Sequence, residues 1–394
     1  MLGRDKRKRL LVALRPHLQG GWERAVFAAP QVAGEPTPER VLTGPGAAPT
    51  PADIEALLVA AAEAADAGLV KQTLVLDARR RVQVDARHAR AALRTLDEAT
   101  ARKVMGGKDR ALRPDTSAAL LREIGIMNAD GTISAAHARK YKQICHLATL
   151  CEPVIERLAK VRPLAADAPL RVLDLACGNA YLSFVLAEVL RLREVPLRLH
   201  GVDVRADVVT RSVARAATLG LTNLSFAEAD ILAAGATASE RLGGPPDLIL
   251  ALHACDTATD QALALAILRG APAILAVPCC QAELAAQLGD LPDVHPTPAL
   301  VRHGLLRRAY ADVLTDALRV DLLEACGYDV TVVEFVGSEH TAKNLLLRAF
   351  RTHPRAPVEP ARWRLGPVSE RCRALGVNPS LLRLLGRATA EPTS

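Results

Sequence analysis

An aspartate and a turn of small residues follow a predicted strand in LDLACGNAYL, residues 173–182. Small side chains in this turn let the backbone approach a ligand closely, and the helix predicted after it begins with unpaired N–H groups. Asp174 can accept a hydrogen bond from an ammonium group, directly or through water. Ligands of open parallel sheets lie outside the carboxyl ends of the strands, so the segment predicts a ligand site. The turn residues assigned to this site are Ala176, Cys177, Gly178 and Asn179.

Two more carboxylates stand at the ends of the next two predicted strands. Asp203 ends the strand of HGVDV, where a carboxylate can bind both hydroxyls of a ribose. Asp230 ends the strand of AEADIL, where it can accept from the amino group of an adenine. Each acid can instead cap a helix, and this alternative is strongest for Asp230. Three acids at three successive strand ends predict a nucleoside site. The neighbouring residues assigned to it are Val204, Ile231 and Leu252.

The single glycine of the turn ACGNAY separates two classes of nucleoside cofactor. A dinucleotide site needs the pattern GxGxxG, because its glycines admit a pyrophosphate. A sulfonium nucleoside carries no phosphate, so one glycine with an upstream acid suits it better. The sequence therefore predicts S-adenosylmethionine as the cofactor, with a nicotinamide dinucleotide as the competing alternative.

Side chains suited to proton transfer follow the fourth and fifth predicted strands, in LHACDTATDQAL (252–263) and VPCCQAEL (277–284). His253 or Asp256 can accept a proton from a nucleophilic substrate, although His253 can equally be a hydrogen-bonded histidine at a sheet end. The loop EHTAKN, residues 339–344, joins the last two strands and is expected to overhang the same pocket. The predicted catalytic residues are His253, Asp256, His340, Lys343 and Asn344.

Two adjacent cysteines, Cys279 and Cys280, are expected to line the pocket, with simple packing as the alternative. A cysteine nucleophile needs an activating base, and the sequence identifies none beside them. The eight cysteines of the chain form no CxxC pair and no zinc-finger spacing with histidine, so no metal site is predicted. Cysteines inside apolar runs fit a reducing cytoplasm better than a disulfide scaffold.

Seven predicted strands position these residues. Helical stretches separate the first five, and near-continuous apolar strands of this kind imply a parallel sheet covered on both faces. The short connection SEHTAK leaves no room for a crossover helix, so the last two strands are expected to pair as an antiparallel hairpin. This is the outline of an α/β, Rossmann-like, seven-stranded class I methyltransferase sheet. The strands are expected at residues 170–176, 197–204, 224–231, 246–254, 273–279, 328–337 and 344–350.

An N-terminal α+β extension precedes this sheet. Its expected elements are an irregular connection at 30–51, a helix at 53–68, a strand hairpin at 71–89, a basic helix through Arg102, a helix at 116–125 and a turn at 128–131. A long helix follows, and Ser134 can cap its first turn. The expected domains are a basic accessory domain at 1–114, a methyltransferase domain at 115–351 and a basic tail at 352–394.

Charge is distributed unevenly along the 394 residues. The net charge is +8 over residues 1–150, −6 over 151–350 and +5 over 351–394. Basic flanks around an acidic middle are typical of proteins that bind a polyanion, because Lys and Arg neutralise phosphates and release counterions. Ordinary solvated surface is the alternative. No stretch reaches the roughly 20 apolar residues of a membrane span, so we expect a cytoplasmic protein, whose oligomeric state the sequence does not determine.

Five segments together resemble a known family: LDLACGNAYL, LHACDTATDQAL, PCCQ, EHTAKN and the upstream KYKQI. They are similar to the methyltransferase domain shared by eukaryotic tRNA 2′-O-methyltransferases that act on the acceptor stem and by bacterial relatives. The resemblance covers about residues 115–350. It implies S-adenosylmethionine as cofactor and RNA as substrate, held by the basic N-terminal region and tail. The zinc-binding modules of the eukaryotic enzymes have no counterpart in residues 1–115. The residues predicted to face the substrate are Lys142, Gln143, Cys279, Cys280 and Glu339.

Three functions follow as hypotheses. An RNA methyltransferase is the leading one. A small-molecule or protein methyltransferase predicts an N-terminal lid without an electropositive face, so arginines dispersed over several faces count against RNA. A non-catalytic RNA-binding module that retains the fold is the third, and the acids Asp174, Asp203 and Asp230 argue against it.

Overall fold

The chain folds as two compact units, residues 1–145 and 146–394. A computed structural model describes residues 3–30, 38–252, 254–291, 295–335 and 345–390. Each unit has its own apolar core. The three-part division expected from the sequence, with boundaries after residues 114 and 351, stays a prediction.

The first unit is built on a five-stranded antiparallel sheet in the order β2-β1-β3-β4-β5. Its elements are α1 (Arg4–Leu14), β1 (Trp22–Ala28), β2 (Glu39–Gly46), α2 (Pro51–Asp66), β3 (Lys71–Val75), β4 (Arg80–Asp85), β5 (Arg90–Thr95), α3 (Glu98–Val104) and α4 (Ala118–Glu123), and α5 (Ala135–Val161) begins here. Alternate strand residues such as Phe27, Leu74 and Val82 are buried against Leu14 of α1 and Leu58 of α2. One face of the sheet is therefore the core face.

Local hydrogen bonds explain where two of the predicted helices of this unit begin. Thr50 caps α2 by accepting from the Asp53 N–H, and the Asp53 carboxylate accepts from the Thr50 N–H in return, a reciprocal capping box. Ser134 caps α5, because its hydroxyl accepts from the His137 N–H at 3.3 Å. The turn at Asn128 closes as predicted, through the Gly131 N–H.

Two expectations for this unit were wrong. Residues 39–46 lie in the segment expected to be irregular, but they form β2, an edge strand that tolerates Pro45 because one of its sides needs no ladder hydrogen bond. Residues 90–95 were expected to belong to the basic helix that runs through Arg102, but they pair along β4 as β5. Their side chains alternate between the two faces of the sheet, with Arg90 and Arg94 on one face and Leu93 on the other.

The second unit contains the expected seven-stranded sheet, in the order β8-β7-β6-β9-β10-β12-β11. The first five strands in the chain are parallel, and the last two form the expected antiparallel hairpin. The strands are β6 (Leu170–Leu175), β7 (Leu197–Asp203), β8 (Leu224–Glu228), β9 (Leu248–Ala251), β10 (Ala273–Ala276), β11 (Tyr328–Glu334) and β12 (Leu345–Arg351). The predicted Rossmann-like class I methyltransferase fold is confirmed.

Helices connect the strands and complete the core of this unit. They are α6 (Tyr181–Leu192), α7 (Ala206–Thr218), α8 (Ile231–Leu242), α9 (Thr257–Leu268), α10 (Ala282–Gly289), α11 (Pro298–Arg302), α12 (Gly304–Ala325), α13 (Leu365–Ala374) and α14 (Ser380–Ala390). The last two helices come from the basic tail, yet Val368, Cys372, Leu381 and Leu385 are buried in the same core as the sheet. Among the described residues, no helix combines the length and apolarity needed to cross a membrane.

Candidate active site at the carboxyl ends of the parallel strands

The turn after β6 is held in a left-handed backbone conformation. Ala176, Gly178 and Ala180 have φ values of +53°, +54° and +52°, which glycine adopts without steric cost. For each alanine the cost is roughly 1–2 kcal/mol, and positions strained in this way cluster at ligand sites. The Cys177 N–H donates to the carbonyl of Val202 on β7 at 2.8 Å, so the turn is fixed to the neighbouring strand.

Asp174 is buried at the end of β6, with 2% of its surface exposed. The hydroxyl of Ser183, in the first turn of α6, donates to Asp174 Oδ2 at 2.5 Å. Asp174 Oδ1 is buried without a hydrogen-bond partner among the described residues. Burial raises the pKa of Asp174 to about 7, while the Ser183 hydrogen bond opposes this rise and the charge of Asp203 adds to it. A buried acceptor of this kind costs free energy until it is paired, and an ammonium group can pair it.

We expect the affinity for S-adenosylmethionine to fall as the pH is lowered through 7. Protonation makes Asp174 neutral and removes its attraction for the ammonium group, because an adjacent cation favours the charged carboxylate. Below the pKa the dissociation constant should rise by up to about tenfold per pH unit, and above it the constant should level off.

Calorimetric titrations of S-adenosylhomocysteine from about pH 5.5 to 8 measure this dependence, since they bracket the pKa near 7. Asp174→Asn is the matched control, because an amide of the same shape does not titrate. It should bind weakly at every pH, with a flat profile. A wild-type affinity that is constant across neutral pH would contradict the assignment of Asp174 to the ammonium group.

Asp203 lies at the end of β7 with its carboxylate almost fully buried. Its Oδ2 accepts from the Gly178 N–H at 2.8 Å, and its Oδ1 accepts from the backbone N–H and the Nε of Arg205 at 3.0 and 3.2 Å. These bonds orient the carboxylate and join β7 to the turn after β6. Each carboxylate oxygen accepts about two hydrogen bonds, so Oδ2 retains capacity for a ribose hydroxyl. Arg205 was not identified from the sequence, and its exposed side chain can move aside to free Oδ1.

Asp230 caps α8, which was the alternative to adenine binding that the sequence offered for this residue. Its Oδ1 accepts from the Ala233 N–H at 2.8 Å, and the side chain is exposed. Val204 is 66% exposed, whereas Ile231 and Leu252 are buried. The capping bond fixes the Asp230 carboxylate beside the end of β8. The adenine contacts assigned to these residues stay predictions.

Asp256 begins α9 with a φ of +51°, which is strained for a residue other than glycine. Its Oδ1 accepts from the Glu283 N–H in the first turn of α10 at 3.1 Å, and its carbonyl accepts from Arg319 Nη2 at 2.9 Å. Asp256 thereby joins the loop after β9 to the helix after β10. This geometry gives it a positioning role, and its assignment as a proton acceptor stays a prediction.

A buried ionic network that the sequence analysis missed supports the same two loops. Arg319 of α12 is 1% exposed and pairs with Asp260 at 2.9 Å and with Asp316 at 3.0 Å. Asp316 in turn accepts from Nε2 of Gln281, beside Cys280, at 3.1 Å. Burial raises the pKa of both carboxyls and the Arg319 charge opposes this rise. The signal available in the sequence was an Asp and an Arg three residues apart within an apolar helix.

Three thiols meet where β9 and β10 end. The Sγ of Cys279 lies 3.3 Å from that of Cys255 and 3.8 Å from that of Cys280. Burial, with added effects of the two neighbouring thiols, raises the pKa of Cys279 to about 12. The nucleophile in cysteine chemistry is the thiolate, so Cys279 is not suited to that role near neutral pH. Only Cys279 and Cys280 are adjacent in the sequence, and Cys255 was not predicted to lie beside them.

The structure adds no evidence for the predicted roles of the other site residues. Asn179 is exposed, and its carbonyl accepts from Arg215 at 3.0 Å. Lys142, exposed, and Gln143, half-buried, lie on α5 within the first unit, and their assignment to the substrate stays a prediction. The remaining predicted residues lie outside the described part of the chain: His253, Glu339, His340, Lys343 and Asn344.

The described residues at the end of β6 and β7 fit an S-adenosylmethionine molecule. Asp174 offers a buried acceptor for the ammonium group that has no partner among the described residues, Asp203 offers an oriented carboxylate for the ribose, and the left-handed turn at Gly178 is hydrogen-bonded to that carboxylate. When bound, the cofactor supplies an electrophilic methyl group on a sulfonium. The chain's own contribution is to bind and orient, and positioning of this kind provides much of the acceleration in a displacement reaction.

The comparison with protein families agrees with this geometry. Residues 139–287 match a protein family described as a methyltransferase domain. No curated protein matches the sequence. Similar solved structures include the SAH-bound Podospora anserina methyltransferase PaMTH1, at 14% identity over 65% of this chain and 97% of that one, with a TM-score of 0.34. Cofactor-bound Rv0187 from MTB is 16% identical over 64% and 94% of the two chains, with a TM-score of 0.35. An rRNA methylase from Streptococcus thermophilus is 13% identical over 50% and 94%, with a TM-score of 0.32.

The fold, the candidate cofactor site and the family match fall on the same part of the chain. The strand order is that expected of a class I methyltransferase, the ends of β6 and β7 carry groups that fit the cofactor, and the family match spans these strands. The protein is an S-adenosylmethionine-dependent methyltransferase.

Proposed function

We propose that the protein methylates RNA and that the first unit binds this RNA on the face of its sheet opposite the core. One observation carries the proposal: Lys71, Arg81, Arg90 and Arg94 share that face, which we call the open sheet face. The strand register places Arg81 opposite Arg94, and Asp85 opposite both Lys71 and Arg90. Residues at alternate positions, such as Val82 and Val84, are buried in the core instead.

The basic groups of the open sheet face are available to a ligand. Lys71, Arg90 and Arg94 are exposed and form no ion pair with another residue in the described ranges. Together with Gln83 and Thr132 they line a groove of about 880 Å³. Unpaired Lys and Arg side chains along a groove are the groups that neutralise the phosphates of a polyanion.

Three arginines of the region are held in ion pairs. Arg79, Arg80 and Arg87 pair with nearby aspartates at 2.7, 2.6 and 3.2 Å. Their charge is compensated locally, so the six arginines from Arg79 to Arg94 divide between an ion-paired set and a set that forms no ion pair within the described residues, Arg81, Arg90 and Arg94. The members of this second set share one face of the sheet, which favours RNA over a lid without an electropositive face.

The C-terminal tail is less suited to this role. Arg371 pairs with Asp321 at 2.8 Å and Arg383 pairs with Glu283 at 2.7 Å. Its helices contribute to the core of the second unit. We therefore assign RNA binding to the open sheet face first, and an RNA contact by the tail stays a prediction.

The class of RNA follows from the resemblance noted in the sequence, which favours tRNA or rRNA, with a ribose hydroxyl as one acceptor. The direct test incubates the enzyme and methyl-labelled S-adenosylmethionine with tRNA and rRNA from a strain that lacks the gene. Mass spectrometry of the digested nucleosides then identifies a ribose-methylated or base-methylated product. Methyl transfer to a small-molecule or protein fraction, with none to either RNA, would reject the proposal.

Charge reversal tests the open sheet face directly. We expect the double variant Arg90→Glu, Arg94→Glu to weaken RNA binding by roughly 10–100-fold at moderate salt. The slope of log affinity against log salt should become shallower by the amount that about two phosphate contacts contribute. Filter binding at several salt concentrations measures both quantities. The matched control is Arg4→Glu with Lys8→Glu, two exposed residues of α1, because it makes the same change in net charge on the core side of the sheet. If both double variants lose the same RNA affinity, then RNA binding depends on the net charge of the protein and not on the open sheet face.

A further inference from the structure

We propose that Cys255, Cys279 and Cys280 together bind a thiophilic divalent metal ion of the zinc class, with a fourth coordination position that no His, Cys, Asp or Glu of the described residues fills. Their three Sγ atoms all lie within 4.8 Å of one another. No metal site is predicted from the sequence, because the chain has no CxxC pair and no zinc-finger spacing of cysteine with histidine. This set instead combines a loop after β9 with a loop after β10, which only the pairing of those strands brings together.

The sulfur positions match the geometry of a zinc-thiolate site. Tetrahedral zinc holds thiolate sulfur at about 2.3 Å, which separates two sulfur ligands by roughly 3.8 Å. The Sγ atoms of Cys279 and Cys280 are 3.8 Å apart, and those of Cys255 and Cys279 are 3.3 Å apart. Small rotations about the Cα–Cβ bonds therefore bring all three to a common ion. A bound cation favours the thiolate form and releases the thiol protons to solvent.

Exposure distinguishes these cysteines from the other five. Cys255 is exposed and Cys279 and Cys280 are partly exposed, whereas the remaining cysteines are buried. Buried free cysteines pack as small hydrophobic residues, and this explanation does not apply to thiols at an open sheet end. Three protein ligands, the number that the described residues supply, are typical of a catalytic zinc site, since structural sites use four.

The loops that carry the thiols are held by hydrogen bonds. Thr259 Oγ1 donates to the Ala254 carbonyl at 2.6 Å, Asp256 accepts from the Glu283 N–H, and Arg319 donates to the Asp256 carbonyl. These contacts fix the backbone on both sides of Cys255 and tie it to α10. Outer groups that orient the ligands in this way are a general requirement of metal sites.

Titration of the reduced, chelator-stripped full-length protein tests the proposal. We expect one zinc ion per chain, and we expect cobalt to give the visible ligand-field bands and thiolate charge-transfer bands of a tetrahedral sulfur site. Cys279→Ser and Cys280→Ser should each weaken zinc binding by more than the roughly 10–100-fold that outer-shell changes cause. Cys326→Ala and Cys372→Ala, at buried cysteines elsewhere, are matched controls that should retain it.

Several outcomes would overturn the proposal. One is a wild-type protein without the cobalt bands, a result that depends on no variant. Another is equal zinc affinity in wild type and Cys279→Ser, with folding of the variant verified by its circular dichroism and melting temperature. A third is a disulfide between Cys255 and Cys279 that forms in glutathione buffer in preference to zinc binding. Mass spectrometry after thiol alkylation detects that disulfide.

Discussion

Asp203→Ala should bind S-adenosylmethionine at least about 100-fold more weakly than wild type. Hydrogen bonds to a charged acceptor contribute about 1.5–3 kcal/mol each, and every 1.4 kcal/mol corresponds to about tenfold in affinity. The substitution removes the acceptor for the ribose and also releases the Gly178 N–H that Asp203 holds at 2.8 Å. The cofactor loses a direct contact and the turn beside it loses its anchor.

Calorimetry with S-adenosylmethionine and S-adenosylhomocysteine measures this effect. Asp207→Ala is the matched control, because Asp207 is an exposed carboxylate four residues further along the chain that forms an ion pair with Arg211 at 2.9 Å. The affinity of this variant should equal that of wild type. Asp203→Asn keeps an acceptor for Gly178 and should fall between the two. If Asp203→Ala binds as tightly as Asp207→Ala while both remain folded, the ribose assignment is wrong.

Arg319→Met should lower the free energy of unfolding of the second unit by about 3–5 kcal/mol. The Arg319 side chain is 1% exposed, and its removal leaves the buried carboxylates of Asp260 and Asp316 without their cation. Those carboxylates must then be buried unpaired or take up protons. Because Arg319 also donates to the Asp256 carbonyl, the loop that carries Cys255 should loosen as well.

Urea denaturation followed by circular dichroism measures the change. Arg371→Met is the control, since its ion pair with Asp321 is exposed and exposed pairs contribute at most about 1 kcal/mol. Adding Asp260→Asn and Asp316→Asn to Arg319→Met should restore most of the lost stability, because no buried charge then lacks a partner. A loss below about 1 kcal/mol in Arg319→Met would show that water or protonation already compensates the two carboxyls.

Much of the second unit is predictable from short-range patterns. Apolar runs separated by helical stretches identify all seven strands, and the short connection after β11 requires the hairpin. Asp174 and Asp203 are found for the same reason, because a carboxylate that directly follows an apolar strand must emerge at the sheet end. The first unit was harder to predict because β2 and β5 are edge strands, whose partly exposed sequences carry a weak signal.

The sequence by itself determined the class of chemistry: a one-glycine turn beside acids at successive strand ends selects a sulfonium nucleoside over a dinucleotide. Only the tertiary structure decided which groups act together. Cys255 joins Cys279 and Cys280 because β9 and β10 are neighbours in the sheet, and Arg319 reaches Asp260 because α12 and α9 contribute to the same core. The physical reason is that strand pairing and helix packing join residues far apart in the chain, whereas sequence patterns report the period and end of a single element.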